Sequence, residues 1–453
     1  MPIFGKSIIT NIIIAMRKSL ILLSAIFMVA NLGFAQNTEV KEDFVPSELN
    51  QPGQQYPMVN SQGYARFRIE APDAQSVRVS LGLGGSGGTV LAKGEDGAWW
   101  GTTSGPMDEG FHYYHIFIDG GTFNDPGTEN FYGSTRQESG IEIPAHDRAF
   151  YEERNIPHGN VQQVLFWSKS TNMLKKAFVY TPPTSGKDNK RYPVLYLQHG
   201  WGENEYAWWN QGHANLIMDN LISEGKVEPF IIVMTYGMTN EGFRPGGMGA
   251  GARPAGGPGA AAPGGQRPAG APAGAPAGGF GGQRPQGAPA AAPGGQRPAG
   301  AGAPAAPAGG QQRRAGGMGM MMNNGFETVL VEELIPFIDA NFNTIADKDH
   351  RAMAGLSMGG METHSITLAR PEVFGYYGLL SGGTYSPEEV ANTGVKFVFM
   401  GCGSKENPDG VTKAANDLTA AGYNAMSYVS EGTAHEFLTW RRCLYQMAQK
   451  LFK

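Results

Sequence analysis

Gly355-Leu356-Ser357-Met358-Gly359 sets a serine in a G-x-S-x-G pattern. Residues 351–354 before it read as a short buried strand, and residues 360–369 after it read as a helix. A serine on a sharp strand-to-helix turn is held in a strained backbone that lifts its hydroxyl out of the sheet. Side chains larger than glycine would collide across that turn. The chemistry predicted is nucleophilic catalysis by Ser357, provided that an acid and a base follow it in the chain. After Ser357 the apolar strand 395–400 runs into a loop bearing Glu406 and Asp409, and the strand 426–429 runs into a loop bearing His435. Both loops lie just past strand ends, the edge of an open α/β sheet where sites form. His435 can take the proton from Ser357, while a carboxylate fixes its ring tautomer and stabilises the imidazolium. Glu406 is the preferred acid and Asp409 the alternative.

Residues 191–202 form an apolar strand that ends in a glycine-flanked turn, Gln198-His199-Gly200-Trp201-Gly202. A backbone N–H of that turn and the N–H of Met358 can converge on an acyl oxygen as its negative charge develops. His199 is expected to shape the turn and His364, two turns into the helix, to pack beneath the sheet. Neither is expected to react.

From about residue 160 to 453 the chain resembles the esterase-D-type α/β-hydrolases and, within them, carbohydrate esterase family 1, which includes feruloyl and acetyl xylan esterases. The resemblance rests on Tyr192-Pro193-Val194-Leu195-Tyr196-Leu197-Gln198-His199-Gly200, on residues 214–222 and 332–338, on His350 to Gly360 through the serine motif, and on His435-Glu436-Phe437-Leu438-Thr439-Trp440-Arg441-Arg442. It implies an α/β-hydrolase fold, Ser357 as nucleophile, His435 as base, and the Met358 and Trp201 amides as the oxyanion hole. The family usually places Asp where this chain has Glu406, in Cys402-Gly403-Ser404-Lys405-Glu406. Glutamate can serve, since the role is orientation and charge.

Arg17-Lys18, an apolar run from Leu20 to Leu32 and the small residues ending at Ala35 predict a signal peptide over 1–35, with Met16 a candidate working start. A secreted or periplasmic protein with no membrane contact after cleavage follows. Residues 36–54 read as a linker. Residues 55–150 alternate apolar and polar positions between Gly- and Asp-rich turns, as in a β-sandwich. They resemble early-set immunoglobulin-like domains akin to carbohydrate-binding module family 48. Trp99, Trp100 and Tyr113 would there either stack on sugar rings or pack in the core and between domains. In an exported chain the two cysteines, Cys402 and Cys443, are either a disulfide bracing the acid loop or two buried thiols.

Residues 244–325, almost entirely Gly, Ala, Pro, Gln and Arg, interrupt the hydrolase region after the strand 230–234. They carry too little apolar content to bury a core and read as a disordered spacer. The net charge of −5 and pI near 6.0 argue against a nucleic-acid partner. No Cys/His/Asp cluster has metal-ligand spacing and no phosphate-cradling loop precedes a helix, so neither metal nor cofactor is expected. The expected reaction is hydrolysis of acetyl or feruloyl esters on plant polysaccharide. The alternatives are acyl transfer, hydrolysis of other small esters, or a non-catalytic carbohydrate-binding protein. Replacing residues 244–325 with a short Gly/Ser linker should preserve the fold and turnover of a small soluble ester, with any effect confined to polymeric substrate. Loss of small-ester hydrolysis would make the segment an ordered part of the site.

Overall fold

The computed structural model describes residues 39–81, 88–186, 190–237 and 325–453. The expected signal peptide and all but the last residue of the expected spacer lie outside them. Eleven strands precede the hydrolase region: β1 (Val45–Pro46), β2 (Met58–Val59), β3 (Ala65–Ile69), β4 (Val77–Leu81), β5 (Thr89–Val90), β6 (Ala92–Lys93), β7 (Trp99–Thr102), β8 (Gly110–Ile118), β9 (Gly121–Phe123), β10 (Asn130–Gly133) and β11 (Arg136–Ile143). They form two antiparallel sheets, ordered β1-β2-β3-β7-β6 and β10-β11-β8-β4-β5, with β9 paired to β8. The expected linker 36–54 is therefore partly sheet, because β1 pairs with β2. Alternate residues of β3 (Ala65, Phe67, Ile69) meet Val79, Tyr114 and Ile141 in the core between the sheets.

The hydrolase region holds eight strands: β12 (Asn160–Ser168), β13 (Met173–Thr181), β14 (Val194–Gln198), β15 (Ile231–Thr235), β16 (Arg351–Leu356), β17 (Tyr376–Leu380), β18 (Phe397–Gly403) and β19 (Ala425–Ser430). They lie in the order β12-β13-β15-β14-β16-β17-β18-β19, antiparallel through β12 and β13 and parallel from β15 onward. The central strands are buried along their whole length, as expected of parallel strands covered on both faces. Strand alternation splits β14 between two cores. Leu195 and Leu197 pack with helices α1 (Ala214–Ser223) and α6 (Phe437–Ala448), whereas Val194 and Tyr196 pack with α2 (Ile335–Asn341), α3 (Met358–Ala369), α4 (Pro387–Val390) and α5 (Pro408–Ala420). The order of the parallel strands reverses between β14 and β16, where Gln198 lies opposite Gly355. The loops leaving these two strands carry the glycine turn and the serine motif, so both open at the topological switch point.

The first part of β8 is buried on both faces. Tyr114 and Ile116 point into the sandwich, while Phe111 and Tyr113 join the hydrolase core beside Phe437 and Leu438. Arg441 of α6, with no exposed side-chain surface, forks onto Glu142 of β11 at 2.7 and 3.2 Å. Removing one member of such a pair strands a buried charge. Arg441→Met should cost about 3–5 kcal/mol, and the double variant Arg441→Met/Glu142→Leu should recover most of it. Urea unfolding measures both, and a loss below about 1 kcal/mol in the single variant would mean that the pair is solvated.

Candidate active site

Ser357 joins β16 to α3 with φ 52° and ψ −116°, a conformation that costs a non-glycine residue about 1–3 kcal/mol. Its neighbours enforce it. The Ser357 N–H donates to the Leu380 carbonyl of β17 at 2.8 Å, and its carbonyl accepts from Gly360 and Met361 as the helix begins. A Cβ at Gly355 would sit 2.3 Å from the Gly359 carbonyl oxygen, so the turn closes only around these glycines. The helix starts at Met358, two residues before the sequence reading placed it, because Ser357 alone makes the turn.

His435 follows β19, and its Nδ1–H donates to Glu406 Oε1 at 2.7 Å. The second Glu406 oxygen accepts from the Gly403 N–H at 2.7 Å and from the Ser381 hydroxyl at 2.8 Å, and Ser381 is in turn held by the Trp440 indole N–H at 3.0 Å. Burial works to raise the Glu406 pKa. The bond to His435, the Gly403 amide and the Ser381 hydroxyl outweigh it and hold the carboxyl below the usual glutamate value. Asp409 is exposed in the first turn of α5, away from this network. The His435 and Trp440 rings meet edge to face, 5.1 Å between centroids, and with Nδ1 committed to Glu406 the remaining ring nitrogen is Nε2.

The glycine turn after β14 lies against the serine: a Cβ at Gly200 would stand 3.5 Å from Ser357 Cβ. The Trp201 and Met358 amides thus belong to the two turns that meet here, each one residue past the contact. His199 is buried. Its Nδ1–H donates to the Gly200 carbonyl at 2.7 Å and its Nε2 accepts from Gly237 at 3.2 Å, while burial pushes its pKa down to about 4. A neutral imidazole thus bridges two loops, as its shaping role requires. His364 stacks on Tyr385, 4.7 Å between centroids.

Glu203 escaped the sequence reading. It is 4% exposed, its Oε2 accepts the Gly200 N–H at 3.0 Å, and its Oε1 accepts from the Tyr113 hydroxyl at 3.2 Å. Burial raises its pKa to about 7, against the pull of those two bonds and of the charge on His435. Beside it opens a cavity of about 180 Å³ lined by Phe111, His112, Tyr113, His435, Phe437 and Trp440, among others.

Two of the three aromatics considered for sugar stacking have no free face. Tyr113 is buried against Glu203 and Gln211, and Trp99 lies in the sandwich core with its N–H on the Ala71 carbonyl. Trp100 is half-buried between Tyr56 and Arg68 and donates to Asp96. Cys402 and Cys443 are separate buried thiols. Among the described residues Glu109, His146 and Asp147 are close enough to share a cation, and the Arg442 guanidinium already supplies one, 2.8 Å from Asp147 and 3.5 Å from Glu109.

A curated relative, an "Endo-1,4-beta-xylanase/feruloyl esterase" of Xylanibacter ruminicola, is 54% identical over 423 residues, covering 92% of this chain and 48% of that protein. The chain thus spans about half the length of that relative. The solved enterobactin esterase of Shigella flexneri shares the fold at 13% identity, with a TM-score of 0.52 over 85% of this chain and 92% of that one. The profile of the family described as "Putative esterase" matches residues 168–261 and 293–449, more than half of the sequence. The elbow, the histidine–carboxylate pair and this match agree, and the chain belongs to that esterase family of α/β-hydrolase fold.

Proposed function

We propose that this chain is an exported serine esterase that frees aromatic acyl groups, feruloyl in type, from plant polysaccharide. The observation that carries the reading is the Glu406–His435 hydrogen bond at the same sheet edge as the strained Ser357. With Nδ1 committed to Glu406, His435 Nε2 takes the proton as Ser357 Oγ attacks the ester carbonyl. The oxyanion is received by the Met358 and Trp201 amides. Collapse expels the sugar oxygen, which takes the proton from the imidazolium. Water then attacks the acyl-serine with His435 again as base, releasing the carboxylic acid.

The cavity beside His435 supports an aromatic acyl group over acetyl, since Phe111, Phe437 and Trp440 offer it apolar walls. The name of the Xylanibacter relative points the same way. Residues 1–35 support export, to the periplasm or beyond, with acylated poly- or oligosaccharide as the partner.

Turnover of methyl ferulate and of a p-nitrophenyl ester tests the assignment. Ser357→Ala and His435→Ala should each lose about 10⁴-fold or more, and their combination little beyond either. Glu406→Gln should fall far below Asp409→Asn, because only the carboxylate on Nδ1 stabilises the imidazolium. Near-native rates in Ser357→Ala would end the serine mechanism, and the reverse ranking of the two acids would move the third role to Asp409.

A further inference from the structure

The sandwich reaches the reaction centre through one buried chain of hydrogen bonds. Glu142 of β11 holds Arg441, whose Nε–H donates to the Gln211 carbonyl at 2.8 Å. The Gln211 amide donates to the Tyr113 hydroxyl at 2.6 Å, and that hydroxyl donates to Glu203. Glu203 ends the chain on the Gly200 N–H. A second tie lies beside it: Thr135, in the tight β10–β11 hairpin, donates its N–H to the Gly202 carbonyl at 2.8 Å. A Cβ at Gly202, where φ is +77°, would meet the Ser134 and Thr135 backbone at 3.1–3.2 Å, so the hairpin docks directly on the turn. Both ends of the Gly200–Gly202 turn are thus fixed by groups that the sandwich supplies or supports.

We propose that Glu203 is a positioning residue, anchored by Tyr113 of the sandwich, which holds the Gly200–Gly202 turn against Ser357 and sets a second negative charge beside His435. The inference rests on the serine-esterase reading above. It makes the N-terminal domain a working part of the centre, whether or not that domain also binds sugar. The titratable groups that line the cavity with Glu203 are His112 and Tyr113 from β8 and His435 and Glu436 from the histidine loop, and Glu406 holds the imidazole at Nδ1. Among the described residues, Tyr113 and the Gly200 amide bond its carboxyl directly. Burial pushes the carboxyl up to about 7.

The test compares Glu203→Gln and Tyr113→Phe in the full chain, by kcat, KM and the pH profile of kcat/KM on a p-nitrophenyl ester, with Ser357→Ala alongside. Glu203→Gln keeps the side-chain shape but not the charge. Misplacing an oxyanion donor costs less than removing one, so kcat should fall about 10–100-fold with KM within about twofold. Tyr113→Phe should move kcat the same way by a smaller factor, and the double variant should be no worse than Glu203→Gln, because the two share one path. An anion beside the histidine favours imidazolium, and the reaction needs neutral imidazole, so removing the anion should move the rising limb toward lower pH. A merely structural defect lowers the plateau and leaves the limb in place. A limb unmoved in Glu203→Gln, whether activity is native or uniformly reduced, overturns the proposal. Full activity in Ser357→Ala would instead remove the serine reading, and this inference with it.

Discussion

Everything at this centre depends on the backbone of Ser357 staying at positive φ. A side-chain-bearing residue keeps that conformation only where its surroundings over-determine it. Here β17 binds the amide, α3 begins on the carbonyl, and β14 runs alongside with its own turn pressed on the serine. The parallel order of the sheet is what makes this possible. Because the connections diverge between β14 and β16, the loops leaving these two strands rise side by side. In the proposed mechanism one supplies the Ser357 hydroxyl and the Met358 amide, the other the Trp201 amide.

Electrostatics then divides the work between two glutamates that the same histidine feels. Glu406 receives three hydrogen bonds, which overcome its burial and keep it ionised at neutral pH. Glu203 receives two and is more deeply enclosed, and burial wins, lifting its pKa to about 7. Glu406 is a fixed counter-charge, whereas Glu203 is an adjustable one, tied to a second domain.

Much of this was legible in the sequence. The apolar runs of β14, β15, β16 and β18 read as strands of an open α/β sheet, and Ser357, Glu406 and His435 each follow a strand of that one sheet. Even the choice between Glu406 and Asp409 was open to a local argument. Pro408 starts a helix, so Asp409 belongs to its first exposed turn while Glu406 stays in the loop. For the sandwich aromatics the sequence offered sugar stacking or packing, and Trp99 and Tyr113 pack: apolar residues at both 111/113 and 114/116 mean a strand segment buried on both faces. Tyr113 meets Glu203 across 90 residues of chain, and nothing local marks that pairing. A buried carboxylate is visible only once the fold has enclosed it. The free thiols likewise depended on side-chain direction.

The most direct test of the account is covalent. A fluorophosphonate esterase inhibitor reacts with a serine only when that serine is activated by its base. Intact-mass and peptide-mass measurement of the full chain should show one adduct per molecule, on the peptide bearing Ser357, and strong suppression of labelling in His435→Ala. An unlabelled protein, or stoichiometric labelling of a different residue, would contradict the assignment of Ser357 as the nucleophile of this fold.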